Sequence, residues 1–417
     1  MTDPSPPRPP APVQKHFLAG THRSVAPEQT VERVRPLLPV MGITRVANVT
    51  GLDAIGIPVV MVCRPNARSL SVSQGKGLSL EAARASGLME AIELYHAETI
   101  TLPLKLATRT ELRFTHPLVD VDALPRLPVS PFHDDLRILW VEGWELMGGK
   151  PLWVPYEMVH TNYVLPLPPG SGTFVNSSNG LASGNHLLEA ITHGICEVVE
   201  RDATTLWYLG GEQTRRRTRV DLSTVDDAAC LSVLEKYERA GIAVAVWETT
   251  TDVGLPSFLC TIADRTPDPL RLLYSSAGMG CHPSRGVALL RALTEAAQSR
   301  LTMIAGSRDD GGRGKYERTR DPETVRAVLA EMAEHGPSRD FRSIPTREHA
   351  TVDEDLRWQL QRLYAAGIRQ VAVVELTQRA FSIPVARVII PGLETMHDVP
   401  GYVPGARARQ VLEGRGA

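Results

Sequence analysis

Ser177-Ser178-Asn179-Gly180-Leu181-Ala182-Ser183-Gly184-Asn185-His186-Leu187-Leu188-Glu189, running on to Cys196-Glu197-Val198-Val199-Glu200-Arg201-Asp202, decides how the chain reads. A polar Gly/Ser/Asn loop opens a helix whose aligned residues are acids. At about 100° per residue, Asn185, His193, Glu197 and Glu200 fall at about -40°, +40°, +80° and +20° from Glu189. Leu188, Ile191, Ile195 and Val198 occupy the other side as a core stripe. Like charges stacked on one face are unfavourable unless something neutralises them. Divalent cations do so simply, and Mg²⁺, which suits carboxylate oxygens, usually brings phosphates with it. His193 reads as an interior histidine supporting this face rather than as a ligand.

The pattern recurs on both sides of this stretch. Ser73-Gln74-Gly75-Lys76-Gly77 and Ser275-Ser276-Ala277-Gly278 read as small polar loops that also open helices. Glu90/Glu93 follow the first and Glu295/Gln298 the last, as Glu197/Glu200 follow the middle one. Ser86, Glu90 and Glu93 stand at i, i+4 and i+7, and Arg291, Glu295 and Gln298 repeat that spacing. A single Glu-x-x-Glu is usually a solvated face. Repetition after the same loop, beside apolar Leu88, Met89, Ile92 and Leu94, favours a shared polar centre instead.

A second repeat interleaves with the first. Four hairpins are expected, over Arg45–Val62, Trp140–Val154, Ala243–Leu259 and Val371–Val388, each with a proline near the start of its return strand. Proline there forfeits little ladder bonding. The fold class is α+β: one pseudo-symmetric domain of repeated hairpins, its sheets packed against helices that converge on the polar centre. A Pro-rich extension over residues 1–14 should be disordered, the domain should span 15–400, and 401–417 should form a tail. Further helices are expected from Pro27 to Leu38, from Asp321 (an N-cap followed by Pro322) to Glu334, and from Asp353 to Ala366. Gly306 to Arg320 should be an exposed, mobile loop.

The 417 residues are 43% apolar and 22% charged with a net charge of -2, which gives no electrostatic case for nucleic acid or a membrane. Five cysteines without a C-x-x-C pair argue against a disulfide framework or structural zinc and fit a reducing cytoplasm. No apolar run is long enough to span a bilayer. The standard phosphate motifs are missing: no P-loop, no G-x-G-x-x-G opening a βαβ unit, no G-x-S-x-G. Gly278-Met279-Gly280 is only a fragment of the second.

Gly75-Lys76-Gly77-Leu78 with Ala83-Arg84-Ala85-Ser86-Gly87-Leu88-Met89-Glu90-Ala91-Ile92-Glu93 resembles the first signature of the YcaO family. Asn185 to Ala203 resembles its second, and Leu290-Arg291-Ala292-Leu293-Thr294-Glu295-Ala296-Ala297-Gln298-Ser299-Arg300 its third. The resemblance, from about Gly20 to Glu394, implies a central site for ATP and Mg²⁺ and ATP-dependent phosphorylation of a peptide backbone amide oxygen, with a nucleophile then displacing phosphate. It assigns Glu90, Glu93, Glu189, Glu197 and Glu200 to metal, and Ser86, Asn185, Glu189 and Gln298 to nucleotide. Arg201 and Arg291 become the phosphate-facing arginines, with Glu200, Arg201 and Arg291 as the catalytic set. The family usually has arginine where this chain has Leu94; Lys76 or Arg84 would stand in.

The resemblance is closest to stand-alone members associated with TfuA. It implies a ribosomally made peptide or protein as substrate, a TfuA-like partner and a thioamide product. The stretch before Arg45 is too short for a ThiF-like or winged-helix recognition module. Gly401 to Ala417 lacks the Pro-rich ending of members that make azolines, which implies a different nucleophile. Azoline-forming cyclodehydration, amidine formation and a non-catalytic nucleotide-binding regulator stay open as alternatives, as does the oligomeric state, homodimer included.

Overall fold

A computed structural model describes residues 11–266, 275–308, 314, 317, 321–334, 336–399 and 401–414. Most of the loop expected over Gly306 to Arg320, and the first ten residues of the expected extension, lie outside them. In chain order, α1 (Pro27–Val34), β1 (Arg45–Asn48), β2 (Val59–Cys63), β3 (Val72–Lys76) and α2 (Leu80–Glu98) come first. Then follow β4 (Leu104–Ala107), α3 (Arg109–Leu112), β5 (Ile138–Glu145), β6 (Lys150–Pro155), β7 (Leu181–Ser183) and α4 (Leu187–Thr218). Next are β8 (Val220–Asp221), α5 (Ala228–Arg239), β9 (Ile242–Glu248), β10 (Ser257–Asp264), β11 (Ser276–Cys281) and α6 (Arg285–Ala305). The chain closes with α7 (Pro322–Glu334), β12 (Arg339–Asp340), α8 (Val352–Ala365), β13 (Ala372–Glu375), β14 (Val385–Ile389) and α9 (Ala406–Gly414).

All four expected hairpins form: β1 with β2, β5 with β6, β9 with β10, and β13 with β14. In three of them the return strand takes a further antiparallel strand, giving the orders β1-β2-β3, β9-β10-β11 and β13-β14-β7. In each, the added strand feeds the helix that carries the acids. The carbonyl of the proline before each return strand accepts a backbone N–H from just beyond the added strand: Gly77 to Pro58, His282 to Pro256 and Gly184 to Pro384. Proline, which lacks the donor, keeps the acceptor and closes the unit. The unit of α4 therefore borrows its hairpin from the far end of the chain.

Two of the expected polar loops are strands. Ser73–Lys76 belongs to β3 and Ser276–Gly278 to β11; only Ser177–Gly180 is a loop, ahead of β7. Glycine and serine are poor strand formers, but here helix packing decides. A Cβ on Gly75 would lie 2.1 Å from both the Ala83 carbonyl oxygen and the Gly87 nitrogen, and one on Gly278 would lie 2.2 Å from the Ala296 nitrogen. The helices lie flush on their strands. Asn185 precedes α4, whose N-cap is His186, with Nδ1 accepting from the Leu188 amide. The same helix leaves helical geometry at Gly211 (φ 71°, ψ -160°).

One apolar core lies between α2 and the sheet of β4 to β7, around Trp140 and Ile92. A second lies under α6, around Phe258 and Tyr237, and a third between α4 and β14, around Ile195 and Val388. Of the expected stripe of α4, Ile191, Ile195 and Val198 are buried there and Leu188 packs half-buried at its edge. Asp321 caps α7 through the Thr324 amide, and Thr351 caps α8. Contacts at the N-terminus begin before Lys15: the Val13 amide donates to Asp353 (2.7 Å). Among the described residues no helix is long and apolar enough to cross a membrane.

Candidate functional site

The acid-bearing faces of α2, α4 and α6 enclose a cavity of about 530 Å³. Ser86, Glu90 and Glu93 line it from α2, Glu189, His193, Glu197, Glu200 and Arg201 from α4, and Arg291, Glu295 and Gln298 from α6. Lys76 and Asn185 complete the expected set on its wall. The helical spacing that aligned these residues along each helix also brings the three sets together.

Their partners differ sharply. Glu189, 1% exposed, accepts from the Ser24 amide (2.5 Å) and the Asn185 amide (2.7 Å). Burial alone would raise its pKa, yet Arg23 and these amides hold it below the ordinary carboxylate value. Glu295 accepts from Lys76 (2.6 Å) and from the Met279 amide (3.1 Å), and Lys76 and Arg201 likewise lower it against burial. Burial outweighs the pull of Arg308 and Lys76 on Glu90, while Glu93 faces Glu90 and Glu197. Desolvation pushes Glu90 up to about 7 and Glu93 up to about 8, although Ser183 donates to Glu93 at 2.6 Å. Glu200 is raised by burial too, against the pull of Arg201. Arg201 itself is raised despite burial, by Glu200, Glu197 and Glu295. His193, lowered well below its ordinary value by burial and then by Arg291, sits 3.2 Å from the Arg291 Nη1, a supporting position.

Arg84 does not join the site. It lies two residues before Ser86, about 200° away around the helix, and pairs with Glu81 outside the cavity lining. Leu94 is buried in the core of α2 while still touching the cavity, so Lys76 is the cation that β3 and α2 contribute. The sequence reading missed one wall altogether. Phe17 and Arg23 exchange paired backbone bonds of 2.9 Å, and Gly20, Thr21 and Arg23 line the cavity together with Arg308. Lys15, paired with Asp355 at 2.5 Å, and Glu189 pin this segment down. Only the Gly-Thr-His-Arg run at 20–23 hinted at it, with no periodicity to mark it.

The donor set fits a nucleotide with Mg²⁺. Glu200 Oε2, Arg291 Nε and Gln298 Oε1 are buried without partners, atoms of both signs around one cavity. Among the described residues no three acids converge closely enough to grip a bare ion. Mg²⁺ bound with a nucleotide usually keeps waters and takes one or two carboxylates plus phosphates rather than an all-protein cage.

Three hairpin-backed helices around an acidic, arginine-bearing cavity define a nucleotide-dependent enzyme class without a P-loop. The YcaO family, described as YcaO cyclodehydratase, ATP- and Mg²⁺-binding, matches residues 74–394. The chain belongs to the YcaO family and is an ATP-dependent enzyme of that type. It is 39% identical to an uncharacterized protein in the tfuA 3' region of Rhizobium leguminosarum bv. trifolii, over 94% of this chain and 93% of the relative. It is 35% identical to an uncharacterized protein of Methanothermobacter thermautotrophicus, over 94% and 99%. Among solved structures, a heterocyclase in complex with substrate and cofactor shares the fold (TM-score 0.75, 24% identity), covering 94% of this chain. The chain spans 55% of that heterocyclase. A YcaO from Methanopyrus kandleri bound with AMPPCP and Mg²⁺ aligns with TM-score 0.73 and 21% identity over 94% of this chain and all of that one.

Proposed function

We propose that the chain phosphorylates a backbone amide oxygen of a ribosomally made peptide or protein and that sulfide then replaces that oxygen, giving a thioamide. The amide oxygen attacks the γ-phosphorus of ATP and ADP leaves; sulfide adds to the activated carbon and phosphate leaves. The observation that carries the thioamide reading is the 39%-identical relative in a tfuA region, and a TfuA-like protein is the proposed partner. Glu90, Glu93, Glu197 and Glu200 are the proposed Mg²⁺ ligands. Glu189, both of whose oxygens already hold backbone amides, acts chiefly by fixing the cavity wall. Bound Mg²⁺ would supply neutralisation of the triphosphate. Arg201 and Arg291 face the phosphates, and Ser86, Asn185, Gln298 and Lys76 orient the nucleotide. Holding the amide in line supplies much of the rate. Cyclodehydration is the second reading, favoured by the family's description.

Mass spectrometry after incubating the chain, Mg·ATP, sulfide, a TfuA-like protein and a candidate peptide decides between them. The expected product is heavier by the difference between sulfur and oxygen. Loss of one water overturns the thioamide in favour of an azoline, or an amidine if an amine condenses.

A further inference from the structure

A second concavity, of about 250 Å³, opens on the sheet face opposite α6. Its floor is Trp247, Leu259, Thr261 and Ala277, which share one face because Leu259 pairs with both Trp247 and Met279, and Thr261 with Ala277. Trp207 and Tyr208 of α4 form one wall, and α7 the other. Two elements run from the cavity to the groove. Tyr208 lies seven residues beyond Arg201 on α4, hence on the same helix face about 10 Å further along. On β11, Met279 stands between the two spaces: its side chain shares the face of Ala277, and its Sδ accepts from Arg201 Nη1 at 3.4 Å.

We propose that this groove takes an apolar or aromatic side chain of the peptide whose amide is activated in the cavity, a subsite that rests on the functional reading above. Two observations fix the ligand's chemistry. The charges at the rim offset each other: Arg215 pairs with Glu331 across the mouth and stacks over Trp207 and Tyr208, with only its Nε left without a partner. Trp247, 4% exposed, has an indole N–H without a partner. Buried tryptophans normally satisfy that donor, and a peptide carbonyl is the acceptor that an extended ligand carries. At about 3.3 Å per extended residue, the anchor side chain falls about three residues from the activated amide.

The test uses the full chain with its six tryptophans ¹⁵N-labelled at the indole, the Trp207 and Trp247 signals being assigned through Trp207→Phe and Trp247→Phe. N-acetyl-L-phenylalaninamide should shift both signals saturably, and N-acetylglycinamide should not. Ala277→Leu, which fills the floor, and Val328→Trp, which fills the α7 wall, should each weaken the shift about tenfold or more, with cooperative melting confirming that the variants fold. Absence of a saturable shift in the unaltered chain, or equal affinity in both variants, overturns the subsite. So does displacement of the probe by a TfuA-like protein in the absence of peptide, which would give the groove to the partner. Failure of the functional reading looks different: the probe still binds, but no peptide stimulates phosphate release.

Discussion

Glu189 and Glu295, and Glu90, Glu93 and Glu200, are acids on the same three helices around one cavity, yet their surroundings pull them in opposite directions. The first pair meets backbone amides, Lys76 and nearby arginines and is held ionised. The second group is dominated by burial, which outweighs Arg308 and Lys76 at Glu90 and Arg201 at Glu200, and is pushed toward its neutral form. Charges the protein neutralises itself are building elements, and charges it leaves crowded are waiting for something to arrive. Position on a helix face does not distinguish the two; the partners do.

The largest expected effect is on ligand binding. Glu90→Ala and Glu200→Ala should each weaken Mg·ATP by roughly 30-fold or more at saturating Mg²⁺, the scale of removing one partner from a desolvated charge pair. Calorimetry that finds undiminished affinity in both variants breaks the comparison. Next, Glu189→Ala should destabilise the ligand-free protein by about 2–3 kcal/mol, since two backbone donors lose their acceptor. Hydrogen exchange at Ser24 should accelerate with it, whereas Glu90→Gln should leave the melting temperature level or raised.

The pH dependence sharpens the contrast. Glu90 and Glu93 stand at about 7 and 8 against an ordinary 4.5, so the stability they contribute is fully present below pH 4.5 and is lost as pH rises through 7 to 8. Glu189 and Glu295 lie below 4.5, so theirs is present above that value and lost as pH falls through their lowered values. Without Mg²⁺, melting temperatures should fall on the alkaline side, and Glu93→Gln should flatten that limb but not the acid one. The smallest effect belongs to Arg84→Ala. Its surface pair with Glu81 is worth at most about 0.5 kcal/mol, and Mg·ATP affinity should not change.

Much of this was legible in the chain because periodicity encodes which side chains share a helix face. The acids, Arg291 and Gln298 were found that way, Arg201 through the family resemblance, and the four hairpins by their turns and prolines. What periodicity cannot carry is pairing over distance. Nothing local says that β14 rather than β6 backs α4, or that Ser24 returns to Glu189. Nor does composition show that a Ser/Gly run becomes a strand when a helix must approach it within van der Waals contact, as at Gly75 and Gly278. Arg84 was misjudged because a cation near the right place in sequence stands on the wrong side of its helix.

The borrowed hairpin also sets the order in which the molecule can be made. Arg387 of β14 donates to the Ser177 carbonyl at 2.6 Å across 210 residues of chain. During synthesis at about 5–20 residues per second, the apolar stripe of α4 waits roughly 10–40 s for the strands that cover it. Through that interval Ile191, Ile195 and Val198 are surface that a chaperone can hold or a neighbouring nascent chain can capture. A ribosome that stalls before Val385 releases a chain with its acids in sequence but the middle helix without its sheet, and so without a site for ATP.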